Sequence, residues 1–289
     1  MSGLVMTNQA RLQADLRKYM KRGRNGGIKV SAGQRGGFTV KLTIIVLLAL
    51  TLYGFLSFDY RNINLAEAFS GTLANIKTVF GRPRLRYLNL SGAFNALAVT
   101  FSLGALSTVF GAVIGFFGAL LCAKNISNPV TANIVKSIVA LVRAVPTILW
   151  VLIFTVAAGL GSVAAVIGLT IHSAGYLIKA YAESIEEMDD GSIEALAASG
   201  AGYWQIIFQA VLPSSISYMT AWTFLRFEIN FTNAIAVGAA AGAGGLGFDL
   251  FMAGSFYFDL RELGFITYII VISVIILETA ATGLKGRIK

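Results

Sequence analysis

Residues 93–123 read AFNALAVTFSLGALSTVFGAVIGFFGALLCA and contain no Asp, Glu, Lys or Arg. At about 1.5 Å rise per residue, a helix of that length outreaches the roughly 30 Å of hydrocarbon in a bilayer. The run closes on Lys124-Asn125. A helix apolar all round is covered by lipid or by other apolar helices. Five further apolar segments share this character, at about 42–58, 144–161, 163–181, 214–237 and 264–281. Together they predict an all-α membrane protein of six spans over residues 42–289, preceded by a basic tail at 1–41.

Composition supports the same class. Of 289 residues, 56% are hydrophobic and 13% charged, against about 25% charged in soluble domains. Cys122 is the sole cysteine, which rules out an intrachain disulfide or a multi-cysteine metal site. The net charge of +9 is concentrated: nine Lys/Arg lie within the first 41 residues, against the single acid Asp15. A basic tail before a first span is a topology signal and a contact for anionic membrane lipid rather than for nucleic acid. The first apolar run begins only at Leu42, with no small-residue cleavage pattern after it, so an uncleaved helix is expected.

Six spans place both termini on one side, and the basic ends put that side in the cytosol of a bacterial inner or plasma membrane. Two stretches sit less easily with this rule. Residues 182–213 carry Glu183, Glu186, Glu187, Asp189, Asp190 and Glu194 without Lys or Arg, as expected of a loop that faces a partner. The first external stretch carries Arg61, Lys77, Arg82, Arg84 and Arg86. Around Arg143 and Pro146, either one helix contains an arginine, or the span starts near Ala144 with Pro146 in its first turn and a cytosol-proximal helix before it. The second avoids the insertion cost of about 2.5–3.5 kcal/mol for an arginine at a span centre.

Residues 191–213 read GSIEALAASGAGYWQIIFQAVLP. Glu194-Ala195, Gly200 six residues after Glu194, and the closing Leu212-Pro213 resemble the EAA loop of ATP-binding-cassette (ABC) import permeases. Leu196 and Ala210 depart from that pattern, both as apolar replacements. A short helix here would present Ala195, Ala197, Ala198 and Ala201 as a small-residue face that another protein can approach closely. Gly200 permits a chain reversal, and Pro213 is expected to end one segment and begin the next helix.

A second set narrows the family. Arg226-Phe227-Glu228-Ile229-Asn230, Ala243-Gly244-Gly245-Leu246-Gly247, Arg143-Ala144-Val145-Pro146 with Trp150, His172-Ser173-Ala174-Gly175 and Ala123-Lys124-Asn125 resemble the phosphonate permease family. Thr147 stands where that family has an acid.

The resemblance implies a type I ABC importer permease fold and transport of phosphonates, phosphite or hypophosphite. It implies an extracytoplasmic phosphonate-binding protein, two ABC ATPase subunits, and a second permease copy or sister permease, with a homodimer the simpler pairing. Glu194, Ala195, Gly200, Leu212 and Pro213 would then couple to the ATPase. Arg143, His172, Arg226, Glu228 and Asn230 are the candidate translocation-pathway residues, since intramembrane ionisable groups face a bundle interior or a water-filled path. Other roles stay open: a structural pairing that holds their helix to its neighbours for Arg226 and Glu228, an interfacial snorkelling side chain for Arg143, and a satisfied interior residue for His172. No catalytic or metal site is expected. The glycines at 242–247 lack the Gly-Lys-Ser/Thr ending of a P-loop and suit a hinge or close helix packing, so ATP is expected on a separate subunit. Alternatives are a permease for another small solute, such as an amino acid or phosphate, and an ATP-independent carrier or channel.

Overall fold

The computed structural model describes residues 20–22, 28–30, 35–58 and 64–287. Most of the expected basic tail lies outside these residues, as do Asp59 and Arg61. The chain divides into two units, Met1–Ala68 and Phe69–Lys289. In the first, β1 (Met20–Arg22) and β2 (Ile28–Val30) pair antiparallel, with Lys21 opposite Lys29. Nothing in the tail's composition anticipated this pairing. Helix α1 (Arg35–Ser57) starts ahead of the apolar run, within the stretch assigned to the tail. Its apolar window is unburied, leaving Ile45, Leu48 and Leu52 on the surface, where lipid would cover them. Helix α2 (Leu65–Gly81) crosses the division between the units.

The second unit is built on α3 (Leu90–Cys122), α6 (Ser162–Glu186) and α9 (Leu212–Ala241). The Asn89 side chain caps α3 by accepting from Gly92 N–H at 2.6 Å. Asn128 does the same for α4 (Pro129–Ala144), with Pro129 in the first turn, where its missing N–H costs nothing. α4 meets α5 (Thr147–Ala158) at an 88° bend. Pro146 is the N-cap residue of α5, just outside its first turn.

Helix α3 lies against α6 through glycines. A Cβ on Gly111 would sit 2.7 Å from Ser173 Cβ, and one on Gly115 would sit 2.8 Å from Leu177 Cβ. Glycines four apart share a helix face and let two backbones approach, the common device of membrane helix pairs. A Gly111→Leu variant is therefore expected to overpack the pair at a cost of about 1–3 kcal/mol. Its thermal midpoint in detergent should fall by about 3–10 °C. Gly54→Leu, where an added Cβ meets nothing within 4 Å, should leave the midpoint unchanged.

The fifth span departs from expectation. Helix α8 (Tyr203–Ile206), a π turn at Ile207–Val211 and α9 run on without a break. The helix thus begins at Tyr203 rather than at 214, and Pro213 lies inside it. Proline cannot donate to the carbonyl four residues back and clashes with it. The π turn immediately before, where Leu212 N–H reaches Ile207 O, opens the ladder enough to admit the ring. Beyond α9, Gly242 (φ 62°) caps the helix in the left-handed region. Helix α10 (Gly245–Phe251) then folds back. A Cβ on Gly247 would lie 1.7 Å from Ile235 O, so close packing accounts for this glycine. Helix α11 (Leu260–Arg287) ends the described chain and starts ahead of residue 264.

Among the described residues, four helices can cross a membrane by length and composition, and six spans result if each of the two bent pairs counts as one. Large apolar side chains such as Phe110, Ile114 and Phe117 on α3 and Ile272, Ile275 and Ile276 on α11 are exposed. Apolar surface of this extent belongs in lipid. The chain is a multi-pass membrane protein with an all-helical membrane domain.

Candidate functional site

Two places gather the residues singled out from the sequence, and the first lies at one end of α3 and α6. Lys124 N–H donates to Glu186 Oε1 at 2.8 Å, Lys136 Nζ joins the same oxygen at 2.8 Å, and Asn125 Nδ2 donates to Ile185 O at 2.9 Å. These bonds tie the end of α3 and the middle of α4 to the end of α6. From that rim projects α7 (Gly191–Ala198). Ile193 packs toward the cluster of Leu120, Leu177, Ile185 and Ile207. Glu194, Ala195, Ala197 and Ala198 are exposed. The helix closes in a Schellman motif: Ala201 N–H donates to Leu196 O at 3.0 Å and Gly200 N–H to Ala197 O at 3.0 Å. Gly200 takes the left-handed position with φ 86°, which a residue with Cβ resists. Leu212 packs against the core, while Pro213 is exposed. The result is a short helix, anchored by one apolar edge, that offers a surface of alanines.

The second place is a polar cluster where α3, α6 and α9 cross. Arg226 and Asn230 are four apart and share one face of α9; Arg226 is 3% exposed and Asn230 fully buried. Arg226 Nε donates to Ser173 Oγ at 3.1 Å, and its Nη2 lies 2.8 Å from His172 Nδ1. Asn230 Nδ2 donates to Thr108 Oγ1 and Ser173 Oγ, both at 2.8 Å. Ser173 Oγ also lies 2.6 Å from Leu169 O. Thr147 Oγ1 reaches His172 Nδ1 at 2.8 Å. A guanidinium can only donate, so Nδ1 is an acceptor and the ring is neutral with its proton on Nε2.

Beside this network, Arg143 and Arg226 both bring their guanidinium carbons over the Tyr176 ring, at 4.6 and 4.9 Å from its centroid. Among the described residues, neither arginine has a carboxylate within 4.0 Å. Arg143 Nε is buried without an acceptor. Cations inside a membrane are costly, at about 2.5–3.5 kcal/mol each on insertion scales, and a ring face offsets part of that cost through its quadrupole.

Of the five pathway candidates, Arg143, His172, Arg226 and Asn230 thus come together. Glu228, two residues from Arg226, falls on a different side of α9; it is half-buried, with no side-chain partner among the described residues. The sequence did not single out Tyr176, Thr108 or a binding role for Thr147. Tyr176 follows His172 by one helical turn, and that spacing was the available signal. Thr108 could be found only through the crossing of α3 and α9.

Residues 111–288 match the family described as binding-protein-dependent transport system inner membrane component. The phosphate-import permease protein PhnE of Mycolicibacterium smegmatis is 33% identical over 198 residues, which are 68% of this chain and 36% of that one. The chain thus spans about a third of that relative's length. The phosphite transport system permease protein PtxC of Stutzerimonas stutzeri is 31% identical over 208 residues, 72% of this chain and 70% of that one. Among solved structures, a chain of the inward-facing MetNI methionine ABC transporter aligns with TM-score 0.59 at 24% identity, over 69% of this chain and 95% of that one. A chain from a bacterial alginate importer aligns with TM-score 0.59 at 14% identity, over 88% of this chain and 98% of that one. At these identities the likeness is one of fold.

Proposed function

The chain belongs to the binding-protein-dependent transport system inner-membrane component family, and from that premise we propose that it is the type I permease subunit of an ATP-driven ABC importer for phosphonates or phosphite. One observation carries the coupling role: α7 is exposed, rich in alanine, and closed by a left-handed Gly200. Such a surface fits a groove on another subunit, here the ATPase. Glu194, Ala195 and Gly200 form the docking helix and its closure. Leu212 and Pro213 carry its motion into α9, the helix that bears Arg226 and Asn230.

The solute class is supported by the relatives named as phosphate-import and phosphite transport permeases and by two arginines with no acid within 4.0 Å among the described residues. In this reading ATP is bound and hydrolysed by separate ATPase subunits. An extracytoplasmic binding protein delivers the solute, and a second copy of the permease completes the pathway. Arg143, His172, Arg226 and Asn230 lie along that pathway, and Glu228 contributes from another side of α9. The α7 end and both termini face the cytosol of a bacterial inner membrane.

The test is reconstitution in liposomes with its partner ATPase and binding protein. ATP hydrolysis is recorded with 2-aminoethylphosphonate, methylphosphonate, phosphite, phosphate or an amino acid. Stimulation by a phosphonate or by phosphite is the expected result. Solute flux without the ATPase, or stimulation by the amino acid alone, would overturn it.

A further inference from the structure

We propose that Arg143, Arg226 and Tyr176 form an oxyanion-binding site within the membrane domain, where the transported anion pauses between release from the binding protein and exit. This rests on the importer reading above. Arg226 uses Nε on Ser173 and one N–H of Nη2 on His172. A guanidinium has five N–H donors, so three have no acceptor among the described residues. Arg143 makes no side-chain hydrogen bond among the described residues, and its Nε is buried without an acceptor.

Both cations are held against one ring, Tyr176. The guanidinium carbons lie 4.6 and 4.9 Å from the same ring centroid, and two like charges held around one ring repel, a cost that an anion beside them would relieve. The arrangement is open on one side: Tyr176 is 41% exposed and Arg143 half-buried, while Arg226 is 3% exposed and is reached by a ligand only when the ring shifts. Forked donors from two arginines match the several oxygens of a tetrahedral oxyanion, as arginine matches phosphate elsewhere.

Thr147 gives its hydroxyl to His172 and adds no negative charge beside the two cations. Gly175 makes the geometry accessible: a Cβ there would lie 2.9 Å from Val142 Cγ1 and 3.3 Å from Arg143 Cγ, so α4 can bring Arg143 onto Tyr176 only past a glycine.

A phosphate group could reach this site from the solute or from a lipid headgroup, and the experiment separates them. The complex with its ATPase and binding protein is reconstituted in phosphate-free digalactosyldiacylglycerol alone and in that lipid with phosphatidylglycerol. Uptake of radiolabelled methylphosphonate and stimulated ATP hydrolysis are measured for the wild type, Arg143→Gln, Arg143→Lys and Thr147→Glu.

In both lipids, Arg143→Gln and Thr147→Glu should each lower uptake at least about tenfold. Arg143→Lys should recover part of it. Wild-type uptake by Arg143→Gln would overturn the site. A loss confined to phosphatidylglycerol vesicles would make the ligand a lipid headgroup and also overturn it. A wild-type complex unstimulated by any phosphonate or phosphite would instead remove the importer reading, and the site with it.

Discussion

A Gly200→Trp variant will reach the membrane, keep the wild-type thermal midpoint of its helical domain, and lose most of its uptake. Gly200 sits at φ 86°, where an L-residue costs about 1–2 kcal/mol. Among the described residues nothing lies within 4 Å of an added Cβ, so the side chain starts into open space rather than into the permease core. The cost falls on the closure of α7 and on whatever docks there. If α7 is the coupling element, loosening its Schellman closure by that amount changes the docked population by about 5–30-fold, and the indole adds a steric block.

Uptake and ATP hydrolysis should therefore come apart. The ATPase still turns over in detergent, but its stimulation by the loaded binding protein disappears. Gly200→Ala carries the backbone cost without the bulk and should fall between the two. Wild-type uptake by Gly200→Trp would remove α7 as the docking element. A fall in thermal midpoint equal to that of Gly111→Leu would make the loop part of the core instead.

How much of this was legible in the sequence differs from element to element. Spans appear wherever lipid solvation sets the composition, because an apolar run has no other stable place. Gly200 was legible for a related reason: six residues after Glu194, at the end of a short helical pattern, a glycine reads as a left-handed closure. Pro213 misled. Taken alone, proline marks a helix start, yet here a π turn upstream admits it to the interior, and periodicity cannot register one extra residue in a turn. Arg226 and Asn230 could be placed on one face of α9 from their spacing. Their partners could not, because Thr108 and Ser173 arrive from helices more than fifty positions away in sequence. Tyr176 reads as an ordinary interfacial tyrosine until two guanidinium groups are found over its ring.

Arg226 separates a structural role from a functional one, because the two predict opposite signs for stability. In an Arg226→Met variant the side chain stays long and flexible but loses its charge. His172 Nδ1 keeps the Thr147 hydroxyl at 2.8 Å, and Ser173 Oγ keeps Asn230 and Leu169 O, so no partner is orphaned. A cation that costs about 2.5–3.5 kcal/mol to hold in the membrane is removed. The thermal midpoint should then be unchanged or higher.

Uptake should move the other way. Charge-assisted hydrogen bonds to a bound anion contribute about 1.5–3 kcal/mol each, so losing one lowers occupancy of the pathway by about 10–150-fold. Arg226→Lys, which keeps the charge but not the fork, should regain only part of the flux. A midpoint that drops along with the flux would mean that Arg226 clamps α9 to α6 rather than meeting the solute. A stable, inactive Arg226→Met permease would mean that the membrane domain tolerates this charge for the anion that passes it.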